Sequence, residues 1–166
     1  MYISGIDYES FNNGLGIRTV IYISGCLHNC VGCHNPETHN FKNGKKLTNE
    51  LIVEIKENIQ KRNFISGLTI SGGDSMFSAE ETINLLNTIN RNVYKNLWLY
   101  TGFTFEELLQ DASSLQYKLL TMIDVLVDGK YEENLRDVTL KFRGSSNQRL
   151  IDVQKSLQEG KVIVWE

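Results

Sequence analysis

The chain has 166 residues, 41% of them hydrophobic and 22% charged, with a formal net charge of −3. That length and apolar fraction predict one globular domain over residues 1–166, and the mild acidity excludes a broad basic surface for nucleic acid or an anionic membrane. No apolar run approaches the roughly 20 residues that cross a bilayer, and the opening MYISGIDYES lacks a basic start followed by an apolar stretch, so the expected location is the cytoplasm.

In chain order, β-branched and aromatic content predicts a first strand over 19–24. A helix follows a Thr48 cap, with Leu51, Ile52, Ile55 and Ile59 on one face. A second strand covers 68–71, and Ser78 with Glu81 has capping-box spacing before a helix carrying Ile83, Leu86 and Ile89. Strands at 97–101 and 125–128 flank a short helix at 105–110. A short strand at 139–142, a helix at 148–157 and a strand at 162–165 complete the pattern.

Strands alternating with helices imply an α/β fold with a mostly parallel sheet and right-handed crossovers. The chain is shorter than the ~250 residues of a closed eight-fold barrel, which favours an open partial (β/α) barrel of about five or six units. In such sheets functional groups collect where strands end, and here strands run into Gly25, Gly72-Gly73-Asp74, Gly102 and Gly129.

The three cysteines, Cys26, Cys30 and Cys33, all lie within eight residues, which excludes a disulfide framework and points to metal ligation. Their C-x3-C-x2-C spacing puts three thiolates on one loop, enough for three corners of an iron–sulfur cubane and leaving one iron open. A structural zinc site completed by His28, His34 or His39 is the alternative. Gly72 and Gly73 let a ligand's polar end approach the backbone, where Asp74 could meet an ammonium group; an ordinary turn would use the same residues.

These segments resemble the radical S-adenosylmethionine enzymes, whose hallmark is this cysteine loop after the first strand. The chain is similar in particular to the activating enzymes of anaerobic ribonucleoside-triphosphate reductase. It carries G-L-G-I-R at 14–18, S-G-C-L-H-N-C-V-G-C-H-N at 24–35, S-G-G-D at 71–74, Y-T-G-F at 100–103, V-D-G-K-Y at 127–131 and R-G-S-S-N-Q-R at 143–149. It departs from the usual pattern at His34, where an aromatic residue is common, and at Ser75, where proline is.

The resemblance implies a [4Fe-4S] cluster on Cys26, Cys30 and Cys33, with S-adenosylmethionine beside Gly32, Cys33, His34, Gly72, Gly73 and Asp74. It implies reductive cleavage to a 5′-deoxyadenosyl radical that generates a glycyl radical on class III ribonucleoside-triphosphate reductase. The electron would come from a donor such as flavodoxin or a thioredoxin-type reductant. Arg143, Asn147, Gln148 and Arg149 would contact partner or cofactor. Arg18 reads more readily as a surface residue and Tyr100 and Thr101 as core than as contacts, and Asp128-Gly129 weighs about evenly between a turn and a functional role. Activation of another glycyl-radical enzyme, such as pyruvate formate-lyase, is the enzymatic alternative. A zinc or iron–sulfur binding module without catalysis is the other.

Overall fold

The computed structural model describes residues 1–165. Its strands are β1 (Tyr2–Ser10), β2 (Arg18–Ile23), β3 (Lys45–Lys46), β4 (Gly67–Gly72), β5 (Leu97–Tyr100), β6 (Val125–Asp128) and β7 (Arg149–Asp152). The helices are α1 (Asn49–Gln60), α2 (Ala79–Ile89), α3 (Phe105–Leu108), α4 (Leu115–Leu120) and α5 (Val153–Glu159).

The strands form one mixed sheet in the order β3-β1-β2-β4-β5-β6-β7. The centre, β2-β4-β5-β6, is parallel, whereas β1 and β7 run antiparallel to their neighbours. The sheet does not close. Four parallel strands therefore replace the five or six units expected from the alternation of strands and helices, and antiparallel strands extend them on either side.

Alternation along the strands separates two faces. Ile21, Ile23, Leu68, Ile70, Leu97, Leu99, Leu126 and Ile151 share a core with Ile52, Ile55 and Ile59 of α1, Ile83, Leu86 and Ile89 of α2, and Leu119 and Leu120 of α4. Burying each such aliphatic side chain stabilises the fold by about 1.5–3 kcal/mol. The opposite face carries Trp98, Val125, Val127 and Leu150, packed by Phe142 and Trp165 rather than by helices.

At the amino-terminal end of that face Arg18 is wholly buried. Its guanidinium donates to Thr69 Oγ1 at 2.7 Å, Leu68 O at 2.7 Å and Asn96 Oδ1 at 2.8 Å, and lies 5.2 Å from the Trp98 ring centroid. Burial pushes its pKa down to about 10. A residue that reads as surface or cofactor contact thus braces the sheet at the end away from the strand-end loops.

Local signals are realised unevenly. Thr48 Oγ1 accepts from Leu51 N as expected. The Ser78–Glu81 box does not form: Ser78 makes no side-chain cap, its carbonyl accepts from Thr82, and Glu81 takes the Met1 ammonium at 3.2 Å. A complete capping box stands instead at Thr104 and Glu107 of α3. Residues 139–142 make turns and no strand, with Thr139 bonded to Asp137. The expected helix at 148–157 begins as β7, because Leu150 and Ile151 fill opposite faces at the sheet edge; Asp152 then caps α5. Residues 162–165 contribute one bridge, Val164 to Ile151, rather than a strand.

Candidate functional site

Parallel pairing levels the strand ends, with Ile23 opposite Gly72 and Tyr100 opposite Val127. The loops that follow surround a cavity of about 720 Å³. Cys26, Cys30 and Cys33 all line it, as do Gly72, Gly73, Asp74, Tyr100, Thr101 and Gly102.

The cysteine loop is fastened at its root. Gly25 N donates to Thr38 O at 2.7 Å, Cys26 N to His39 O, and Asp74 N to Gly25 O at 2.9 Å. Gly25 has φ +109°, and a Cβ there would lie 2.3 Å from the Phe41 ring, so no larger residue fits. Gly32 turns the loop between Cys30 and Cys33 with φ +72°. All three thiols are half-buried, and burial pushes that of Cys26 up, reinforced by Asp74 and Cys30. Among the described residues no three His, Cys, Asp or Glu side chains, the three cysteines included, are grouped around a single metal position.

Asp74 is 2% exposed and joins three segments. Its Oδ2 accepts from His28 Nε2 at 2.8 Å, Thr101 Oγ1 at 2.8 Å and Gly102 N at 2.9 Å, while Oδ1 accepts from Met76 N at 2.9 Å. The carboxylate expected to meet an ammonium group thus holds the cysteine loop, its own turn and the end of β5 together. His28 is clamped between Phe77 and Phe103, at centroid distances of 5.0 and 4.7 Å. Gly102 passes so close that a Cβ would lie 2.4 Å from His28 Cδ2.

The far wall is the segment from Gly129 to Gln148. Tyr131 packs on His34 at 4.8 Å, and a Cβ on Gly144 would lie 3.2 Å from His34 Cε1, so this wall abuts the residue after Cys33. Phe142 has a left-handed backbone, φ +62°; its ring meets Trp98 edge-on at 5.3 Å and its carbonyl accepts from Tyr100 Oη at 2.9 Å. Burial pushes the Tyr100 phenol well up.

The four polar residues near the carboxyl end occupy different places. Gln148 Oε1 accepts from Gly144 N and Ser145 N, and its amide donates to Gly129 O. Asn147 Nδ2 donates to Lys130 O at 2.8 Å. Arg149 pairs with buried Asp128 and with Glu106, which pull its pKa up and hold the Glu106 carboxyl below its usual range. Asp128 also accepts from Phe105 N, tying β6 to β7 and α3. Of the four, Arg143 and Gln148 line the cavity.

A family model described as a 4Fe-4S single cluster domain matches residues 12–151. An anaerobic ribonucleoside-triphosphate reductase-activating protein of Enterobacteria phage T4 is 41% identical over 143 residues, covering 84% of this chain and 86% of that protein. Proteins of the same name are similar from Vibrio cholerae, 40% identical over 143 residues with 82% and 88% covered, and from Escherichia coli K12, 34% identical over 143 residues with 82% and 88% covered. The chain belongs to the anaerobic ribonucleoside-triphosphate reductase-activating protein family. For this family's 4Fe-4S domain the donor set is chemically suitable, since thiolates are the usual ligands of such clusters and three of them face one cavity.

Several lining residues stand outside the site residues expected from the sequence, although Lys130 and Tyr131 belong to the V-D-G-K-Y segment. Phe11, Asn12 and Asn13 enter from the β1–β2 connection, and Lys130, Tyr131 and Lys141 from the far wall. Finding the first group needed β1, whose pairing with β2 is interrupted between Ile3 and Gly5 and between Asp7 and Ser10.

Proposed function

We propose that this protein activates an anaerobic, class III ribonucleoside-triphosphate reductase by placing a glycyl radical on it. One observation carries the reading: the three thiols and the Gly72-Gly73 segment line one cavity beyond the ends of the parallel strands, in a chain whose relatives are named activating proteins. Cys26, Cys30 and Cys33 would hold a [4Fe-4S] cluster, which would supply the electron for reductive cleavage of S-adenosylmethionine, the chemistry that would give methionine and a 5′-deoxyadenosyl radical able to take hydrogen from a reductase glycine.

The chain's own residues position and enclose. Gly72 and Gly73 admit the cofactor's polar end to the backbone, and Asp74 fixes that segment against the cysteine loop through His28. Cys33 and His34, which line the cavity, with Gly32 beside them, would border the cofactor on the cluster side, and the wall from Gly129 to Gln148 would close the other. The electron donor is a flavodoxin or thioredoxin-type reductant, the domain works as one unit over residues 1–166, and its place is the cytoplasm. No helix of the described residues is long and apolar enough to cross a membrane.

Anaerobic reconstitution tests this. With a one-electron donor, S-adenosylmethionine and the reductase, the protein should release methionine and 5′-deoxyadenosine and give a glycyl-radical resonance signal on the reductase. Cleavage without transfer to the reductase, or efficient transfer to pyruvate formate-lyase instead, would sink the partner assignment. A colourless zinc protein would sink the enzyme.

A further inference from the structure

Arg143 stands out on the far wall. Its side chain lines the cavity, its Nε is buried without a hydrogen-bond partner, and it forms no ion pair among the described residues. A buried guanidinium N–H without an acceptor is unfavourable unless something else supplies one. The protein's own acids do not. Asp74, the carboxylate that lines the cavity, already accepts four hydrogen bonds. Asp137 Oδ1 is engaged by Thr139 Oγ1 and N, which together with nearby Arg143 hold its carboxyl below the usual range, but it makes no ion pair with the guanidinium. Lys130 and Lys141 add positive charge to the same wall. The acceptor must come from outside the chain; with Lys130 and Lys141 on the same wall an anion suits it best, and a planar pair of oxygens matches the guanidinium fork.

Resting on the proposed function, the chemistry narrows further. S-adenosylmethionine carries a sulfonium, an ammonium and a single anionic group, its carboxylate. The cavity volume suits a ligand of that size. Gly144, next in sequence, abuts His34 beside Cys33, which places the arginine close to the cluster loop. We propose that Arg143 receives the carboxylate of S-adenosylmethionine and so sets the orientation of its methionine end.

The test is a binding cycle on anaerobically reconstituted protein, using S-adenosylmethionine and its decarboxylated analogue, which keeps the adenosine and the ammonium. Arg143→Ala should weaken S-adenosylmethionine binding about ten- to hundredfold while changing affinity for the analogue by less than about twofold. Arg143→Lys should lose part of that affinity, and both variants should keep wild-type iron and sulfide content. Equal losses for the two ligands, no loss for either, or loss of the cluster in both variants would overturn the assignment. So would unchanged cofactor affinity with a raised KM for the reductase, because the carboxylate would then be the partner's. Wild-type protein that binds neither ligand would instead overturn the proposed function, and this assignment with it.

Discussion

Removing the carboxylate of Asp74 is the sharpest perturbation of the site's framework. Asp74→Ala leaves four donors without an acceptor. Two of them, Met76 N and Thr101 Oγ1, belong to buried bonds, whereas those of His28 and Gly102 are partly buried and border the cavity. Stranding a buried donor costs about 1–3 kcal/mol, and the two beside the cavity can turn to water, so the total loss is about 3–5 kcal/mol. Asp74→Asn keeps one acceptor oxygen but faces a donor with another donor, and should lose about 1–3 kcal/mol. Urea unfolding of the cluster-free, reduced protein under argon, followed by fluorescence of buried Trp98, reads both values. Because His28 is released with the carboxylate, Asp74→Ala should also hold its reconstituted cluster less well. A stability within about 0.5 kcal/mol of wild type would refute the role of Asp74 as the tie between these segments.

Three further outcomes are expected. Cys30→Ala should lose the reconstituted cluster, measured as iron and sulfide per chain and as visible absorbance. Gly102→Ala should destabilise by about 1–3 kcal/mol, since its Cβ meets a His28 ring that Phe77 and Phe103 keep from moving; thermal unfolding reads this. Arg149→Met should lose about 2–3 kcal/mol at neutral pH, below the usual figure for an unpaired buried charge because Arg149 is partly solvated while Asp128 is not. Arg149 also holds Glu106 below its ordinary value of 4.5, a contribution present above 4.5 and lost as pH falls through the lowered value. The fall in melting temperature just below pH 4.5 should therefore be shallower in Arg149→Met than in wild type.

The buried parallel strands were legible because each is a short apolar run ending in glycine or in a small polar residue, and the three thiols left little choice of loop. β1 was not legible. Its bulges break the two-residue period, and Gly5, Asp7 and Glu9 dilute the apolar signal. β7 was hidden because its apolar content is the pair Leu150 and Ile151, which continues smoothly into the periodicity of α5. Asp74 reads in sequence as a ligand or a turn residue; that it gathers His28, Thr101 and Gly102 depends on contacts between residues 27 to 46 positions apart. Arg18 read as surface because a lone arginine at a strand end normally is, and its partners Thr69 and Asn96 come from the neighbouring strand and the approach to the next.

Phe142 holds a backbone conformation that a bulky side chain adopts only at a cost of about 1–3 kcal/mol. It persists because the Trp98 ring and the Tyr100 hydroxyl grip it from two sides. The direction in which Arg143 leaves the chain is consequently dictated by its predecessor, a partly buried residue whose ring packs on the aromatic cluster beneath the cavity. The cavity wall is thus governed from beneath: a substitution at Trp98, which does not itself line the cavity, would free Phe142 to relax and so re-aim Arg143 without touching it.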